Sequence, residues 1–133
     1  MSYSGSCQCG AVRFEIESDL TDIVYCHCSL CRKFSGSAFL AFGSAEHRNI
    51  NIAGSEHIKS YSASKSASRE FCSHCGSTLF WQELGSYGDK YKCVALGSLD
   101  GNFEPSSWEH YYTSCKASWY QIQDGQSQFD ETS

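Results

Sequence analysis

Val12, Phe14 and Ile16 alternate with Arg13, Glu15 and Glu17, the period of a half-buried strand. Ala38–Phe42, Leu79–Trp81 and Tyr91–Leu96 are short apolar or aromatic runs of strand length, and His110-Tyr111-Tyr112-Thr113 is a further candidate. Clusters of Gly, Ser and Asp separate them. A helix is expected only over Ser29–Ser35, with one turn near Ser114–Trp119. Ser60–Ser68 carries Ser at every second position and reads equally as an edge strand or an exposed loop. The acidic segment from Asp124 onward, and the tail 126–133 above all, is expected to fray. The pattern is that of one mainly β domain with its core at about 5–125.

Composition agrees. The chain has 133 residues, 41% hydrophobic and 14% aromatic, enough for a modest core and too many for disorder. A net charge of −5 leaves no basic surface for phosphates, which argues against a nucleic-acid partner. No apolar run approaches the length of a membrane span. The first residues, Met1 to Ser6, have neither a basic start nor an apolar stretch, so no secretory leader is expected and a cytoplasmic location follows.

Cysteine changes the picture. Seven of the nine cysteines have another within three residues: Cys7-Gln8-Cys9-Gly10, Cys26-His27-Cys28-Ser29-Leu30-Cys31 and Cys72-Ser73-His74-Cys75-Gly76. The odd total and the absence of a leader fit a disulfide framework poorly. Clustered reduced thiolates point instead to a soft metal, zinc first. In a C-x-C both sulfurs of an extended segment face one side, and in a C-x-x-C the chain turns so that both converge. Seven thiols make one four-cysteine site and a remainder. Spacing allows Cys28 and Cys31 with Cys72 and Cys75, as in a zinc ribbon, or Cys7 and Cys9 with Cys72 and Cys75. The second leaves Cys26, Cys28 and Cys31 as a trio, and the Cys-Gly ending shared by both outer pairs favours it. A closed four-thiolate site is scaffold; three ligands with an open position are the arrangement of a catalytic zinc.

These segments resemble the glutathione-dependent formaldehyde-activating enzyme family, also called the centromere-protein-V-like domain. The matching stretches are Gly5–Val12, Cys26–Lys33 with Gly36-Ser37, Arg69–Ser77, Gly97-Ser98-Leu99-Asp100, and His110 followed by Ser114–Trp119, within a likeness reaching about Phe129. The resemblance implies an all-β fold with small helical content, the β-tent kind of several coiled sheets, and two zinc ions per chain. It implies a structural zinc on Cys7, Cys9, Cys72 and Cys75, and an active-site zinc on Cys26, Cys28 and Cys31. The sequence departs from the family at Ser118, where Pro is usual, and at Gln126-Ser127, where Leu-Pro is usual.

A three-thiolate zinc carries a formal charge of −1 and suits thiol activation better than hydroxide formation. The function so implied is a carbon–sulfur lyase, or S-(hydroxymethyl)glutathione synthase-like enzyme. A thiol such as glutathione adds to a small aldehyde such as formaldehyde. The competing reading is a non-catalytic, zinc-stabilised binding module. Arg32, Lys33 and Arg69 read either as holders of substrate carboxylates or as solvated charges near the thiolates. His110 reads as an acid–base or supporting group, or as a packed histidine. His27 is expected to point away from the metal and His74 to face solvent. Cys93 reads as core and Cys115 as a free thiol. Phe39, Phe80, Trp81 and Trp108 read as core or as the lining of a pocket.

Overall fold

The computed structural model describes residues 2–133. Eleven strands are defined: β1 (Tyr3–Ser6), β2 (Arg13–Ile16), β3 (Thr21–Cys26), β4 (Leu40–Glu46), β5 (Ile50–Ala53), β6 (Ile58–Tyr61), β7 (Ala67–Cys72), β8 (Thr78–Glu83), β9 (Tyr91–Ala95), β10 (Glu109–Tyr111) and β11 (Ser127–Gln128). Two short helices, α1 (Ser29–Ser35) and α2 (Ser86–Lys90), join them. The mainly β expectation holds, and α1 occupies the expected span. Cys28 caps it, its sulfur accepting from the Cys31 N–H at 3.3 Å, and Gly36 closes it in the left-handed region.

The strands form a three-stranded sheet in the order β1-β2-β5 and an eight-stranded sheet in the order β11-β10-β3-β4-β9-β8-β7-β6. Cross-strand partners share a face. On one face of the larger sheet lie the rows Val24–Phe42–Ala95 and Ser44–Cys93–Trp81–Arg69. The other face carries Gly43, Val94 and Phe80. This second face meets the small sheet. Val12, Phe14 and Ile16 form one core with Phe80, Val94 and Ala45, the rings of Phe14 and Phe80 lying 5.1 Å apart. Each phenyl so buried contributes about 1.5–3 kcal/mol. Gly5 lets β1 close over this core: a Cβ there would lie 2.1 Å from Phe14 Cζ and 2.7 Å from the Ser98 carbonyl oxygen.

The first face carries a second core of Val24, Cys26, Cys31, Leu40, Phe42, Cys93 and Ala95. Cys93 is therefore core, as expected. The alternating serines resolve into both readings, since β6 is an exposed edge strand and a turn follows it before β7. The turn expected near Ser114–Trp119 is a 3₁₀ turn at Thr113–Cys115, entered through Tyr112 at φ 59°.

The C-terminal segment is paired to the larger sheet through the two-residue β11. β11 pairs parallel with β10, which pairs parallel with β3. Beyond it, Tyr112 N–H donates to the Glu131 carbonyl at 2.8 Å and Thr113 N–H to Phe129 at 3.1 Å. An acidic, polar composition hid the segment because it is held mainly by backbone bonds to an edge, with Phe129 against Tyr111 as an apolar contact.

Candidate metal centres

Four sulfurs from two distant hairpins meet at one point. Cys7 and Cys9 lie in the β1–β2 turn, Cys72 ends β7, and Cys75 lies in the β7–β8 turn. Gly10 and Gly76, one after each pair, take φ of 80° and 79°, which relieves the side-chain clash that such turns otherwise impose. Cys7 and Cys9 Sγ are 3.6 Å apart, and Cys9 and Cys72 Sγ 3.8 Å. Four thiolates around a tetrahedral ion with bonds of about 2.3 Å need a separation of about 3.8 Å, so the donor set fits a metal. Peptide N–H groups support the sulfurs: Val12 donates to Cys7 at 3.2 Å and His74 to Cys72 at 3.4 Å. A hydrogen bond from Ser77 holds the Cys75 thiol down at about 5.

The second cluster is local. Cys26 ends β3, Cys28 caps α1 and Cys31 lies in its first turn, their sulfurs within 4.8 Å of one another. Among the described residues no fourth Cys, His, Asp or Glu completes this group. Hydrogen bonds from Cys26 and Cys31, aided by backbone N–H groups, pull the Cys28 thiol far down. The same bonding pushes Cys26 up to about 11 and raises Cys31. Negative charge thus settles first on Cys28, the form in which sulfur takes a cation.

Between Cys26 and Cys28, His27 turns its ring away from the sulfurs and into the protein. It is fully buried, and its Nε2 lies 2.8 Å from Nδ1 of His110, also fully buried. His110 Nε2 lies 2.8 Å from Asp124 Oδ2, which also accepts from Trp108 Nε1 at 2.9 Å. Burial raises the Asp124 carboxyl, but hydrogen bonds from Gln126 N–H, Trp108 and His110 outweigh it and hold the carboxyl below the usual range. An ionised Asp124 can only accept, so His110 Nε2 carries a proton. Its Nδ1 faces His27 Nε2, and one of these two nitrogens donates to the other. His27 Nδ1, on the far side of that ring, is buried without a partner among the described residues.

The model of the glutathione-dependent formaldehyde-activating enzyme family matches residues 2–115. The chain belongs to that family. An uncharacterized lyase of Schizosaccharomyces pombe is 32% identical over 79 residues, 59% of this chain and 56% of that protein. A Halomonas elongata protein named as a candidate glutathione-dependent formaldehyde-activating enzyme is 36% identical over 96 residues, 63% of this chain and 61% of that protein. The chain thus spans about three-fifths of the length of these curated relatives. A crystal structure of a Rhodobacter sphaeroides protein shares the fold at a TM-score of 0.60 and 25% identity, covering 75% of this chain and 90% of that one.

The other singled-out residues of this family member divide sharply. Lys33 is exposed and Arg32 half-buried. Arg69 is not a solvated charge: it is 5% exposed, inside the larger sheet, and its Nε and Nη1 have no hydrogen-bond partner among the described residues. It sits on β7, an interior strand, in register with Trp81. His74 is exposed, as is Cys115. Phe80 is core, Trp81 lines a cavity against Cys26 and Cys31, and Phe39 stacks on Tyr25 at 4.6 Å. Asp124 was hidden in a segment expected to fray. The reach of the family likeness to about Phe129 was the one signal of it.

Proposed function

We propose that this chain is a zinc-dependent carbon–sulfur lyase of the S-(hydroxymethyl)glutathione synthase type, working in the cytoplasm on a small-molecule thiol and aldehyde. The carrying observation is the contrast between the clusters: four thiols close one site, whereas three thiols beside a cavity leave the other open. The four-cysteine set would hold a structural zinc. A second zinc on Cys26, Cys28 and Cys31 would keep an incoming thiol, glutathione by the family's name, as its nucleophilic thiolate.

The chain's own residues do the rest. The Cys31 N–H steadies Cys28 sulfur, so the trio keeps its geometry with one corner free. His110 touches His27 and Asp124 rather than the sulfurs, and we place it as a positioning residue that fixes the His27 ring between two ligands. Arg32 and Lys33, on α1, are the cations nearest the trio in sequence for a substrate carboxylate. Arg69 on β7, whose Nε and Nη1 are buried without partners among the described residues, is a further cation for that role.

The test is zinc per chain by elemental analysis under reducing, chelator-free conditions, followed by exchange NMR of glutathione with formaldehyde. Two zincs and adduct exchange faster than in buffer are expected. Two zincs with no acceleration would instead leave both metals as staples of a binding module.

A further inference from the structure

The cavity against the trio is far larger and more apolar than formaldehyde requires. It measures about 630 Å³, within the range of sites that enclose whole organic ligands. A two-heavy-atom aldehyde fills a space on the order of one or two waters, about 30–60 Å³. Cys26 and Cys31 form one end. Phe42 and Trp81, stacked at 5.4 Å, form a wall with Tyr112. The charged residues in the lining, Asp22 and Glu83, are both acidic.

One further observation points to a ligand. Among the described residues, the two non-glycine positions at positive φ, Asp22 at 49° and Tyr112 at 59°, both line this cavity. Backbone strain of this kind concentrates where a site shapes its contents.

We propose that the aldehyde used at this site is uncharged and carries an aromatic or extended apolar group, which fills the space lined by Phe42, Trp81 and Tyr112. The inference rests on the lyase reading above. The thiol sulfur forms the bond to the carbonyl carbon, the carbonyl π pair moves to oxygen, and the thiol proton ends on that oxygen. The product is an S-(1-hydroxyalkyl) adduct, with no oxidant or reductant consumed. The acidic lining, Asp22 and Glu83, turns away aldehydes that carry a carboxylate.

The test uses the zinc-loaded full chain with glutathione and, in turn, formaldehyde, glyoxylate and phenylacetaldehyde, each exchange rate divided by its rate in buffer. Phenylacetaldehyde is expected to gain about tenfold or more over formaldehyde, and glyoxylate least. Val24→Phe, which narrows the cavity, is expected to lower the phenylacetaldehyde-to-formaldehyde ratio. On the unaltered protein, the inert probe 2-phenylethanol is expected to shift the Trp81 indole N–H resonance. Acceleration of formaldehyde without phenylacetaldehyde, or no shift with 2-phenylethanol, overturns the inference and leaves the lyase reading standing. If no aldehyde is accelerated, the lyase reading falls and takes the inference with it.

Discussion

His27 and His110 are joined ring to ring, Nε2 to Nδ1 at 2.8 Å, with both residues fully buried. The first stands between two cysteines of the trio, the second on a strand more than eighty residues later. Asp124 anchors the far end at 2.8 Å. His110→Ala would leave the buried His27 Nε2 without its hydrogen-bond partner, which costs about 1–3 kcal/mol. We expect that loss in urea denaturation, together with faster chelator stripping of metal from the trio. The four-cysteine site should keep its metal at the original rate.

The same pair sets a pH dependence. Burial, reinforced by His110 and Lys116, holds the His27 imidazole at about 4, against 6.5 when unfolded. Between those values the unfolded chain binds a proton that the folded chain does not. Stability therefore falls as pH drops from about 6.5 to 4 and is full above that window, a loss on the order of 3 kcal/mol. Denaturation of metal-free protein at pH 7 and pH 4.5 measures it, and His27→Gln should flatten the slope.

Cysteine substitutions should separate the two centres. Cys9 and Cys72 are 63 residues apart in sequence yet 3.8 Å apart in space, so metal there pins two hairpins together. Cys75→Ser is expected to lower the melting temperature sharply and to abolish folding in chelator. Cys28→Ser should lose one metal equivalent and the adduct exchange while far-UV circular dichroism stays near that of the parent protein.

Gly5→Ala tests the small sheet. The added methyl would overlap both the Phe14 ring and the Ser98 carbonyl, and the backbone atom cannot swing aside. Overpacking of this kind costs about 1–3 kcal/mol. The loss should show in thermal denaturation without altering metal content.

What the sequence disclosed depended on range. Val12, Phe14 and Ile16, the α1 span and the cysteine groups were legible because each signal is local: a period of two, a cap, a spacing. Asp124 was not, since the bond that gives it meaning reaches back to His110 and through it to His27. Arg69 looked like surface because Ser68, Arg69 and Glu70 are polar in a row. It is buried on an interior strand between β6 and β8, on the face it shares with Trp81. Tyr112 reads as one more strand aromatic, and only the turn of the chain at φ 59° brings it to the cavity.

The parallel pairing of β10 with β3, and of β11 with β10, also sets a timetable. A chain made from its N-terminus presents the three thiols of the trio 93 residues (124 − 31) before Asp124 exists to lock His27 behind them. At about 5–20 residues per second that interval lasts roughly 5–20 s. During it the thiols are open to oxidants and to any thiophilic ion at hand.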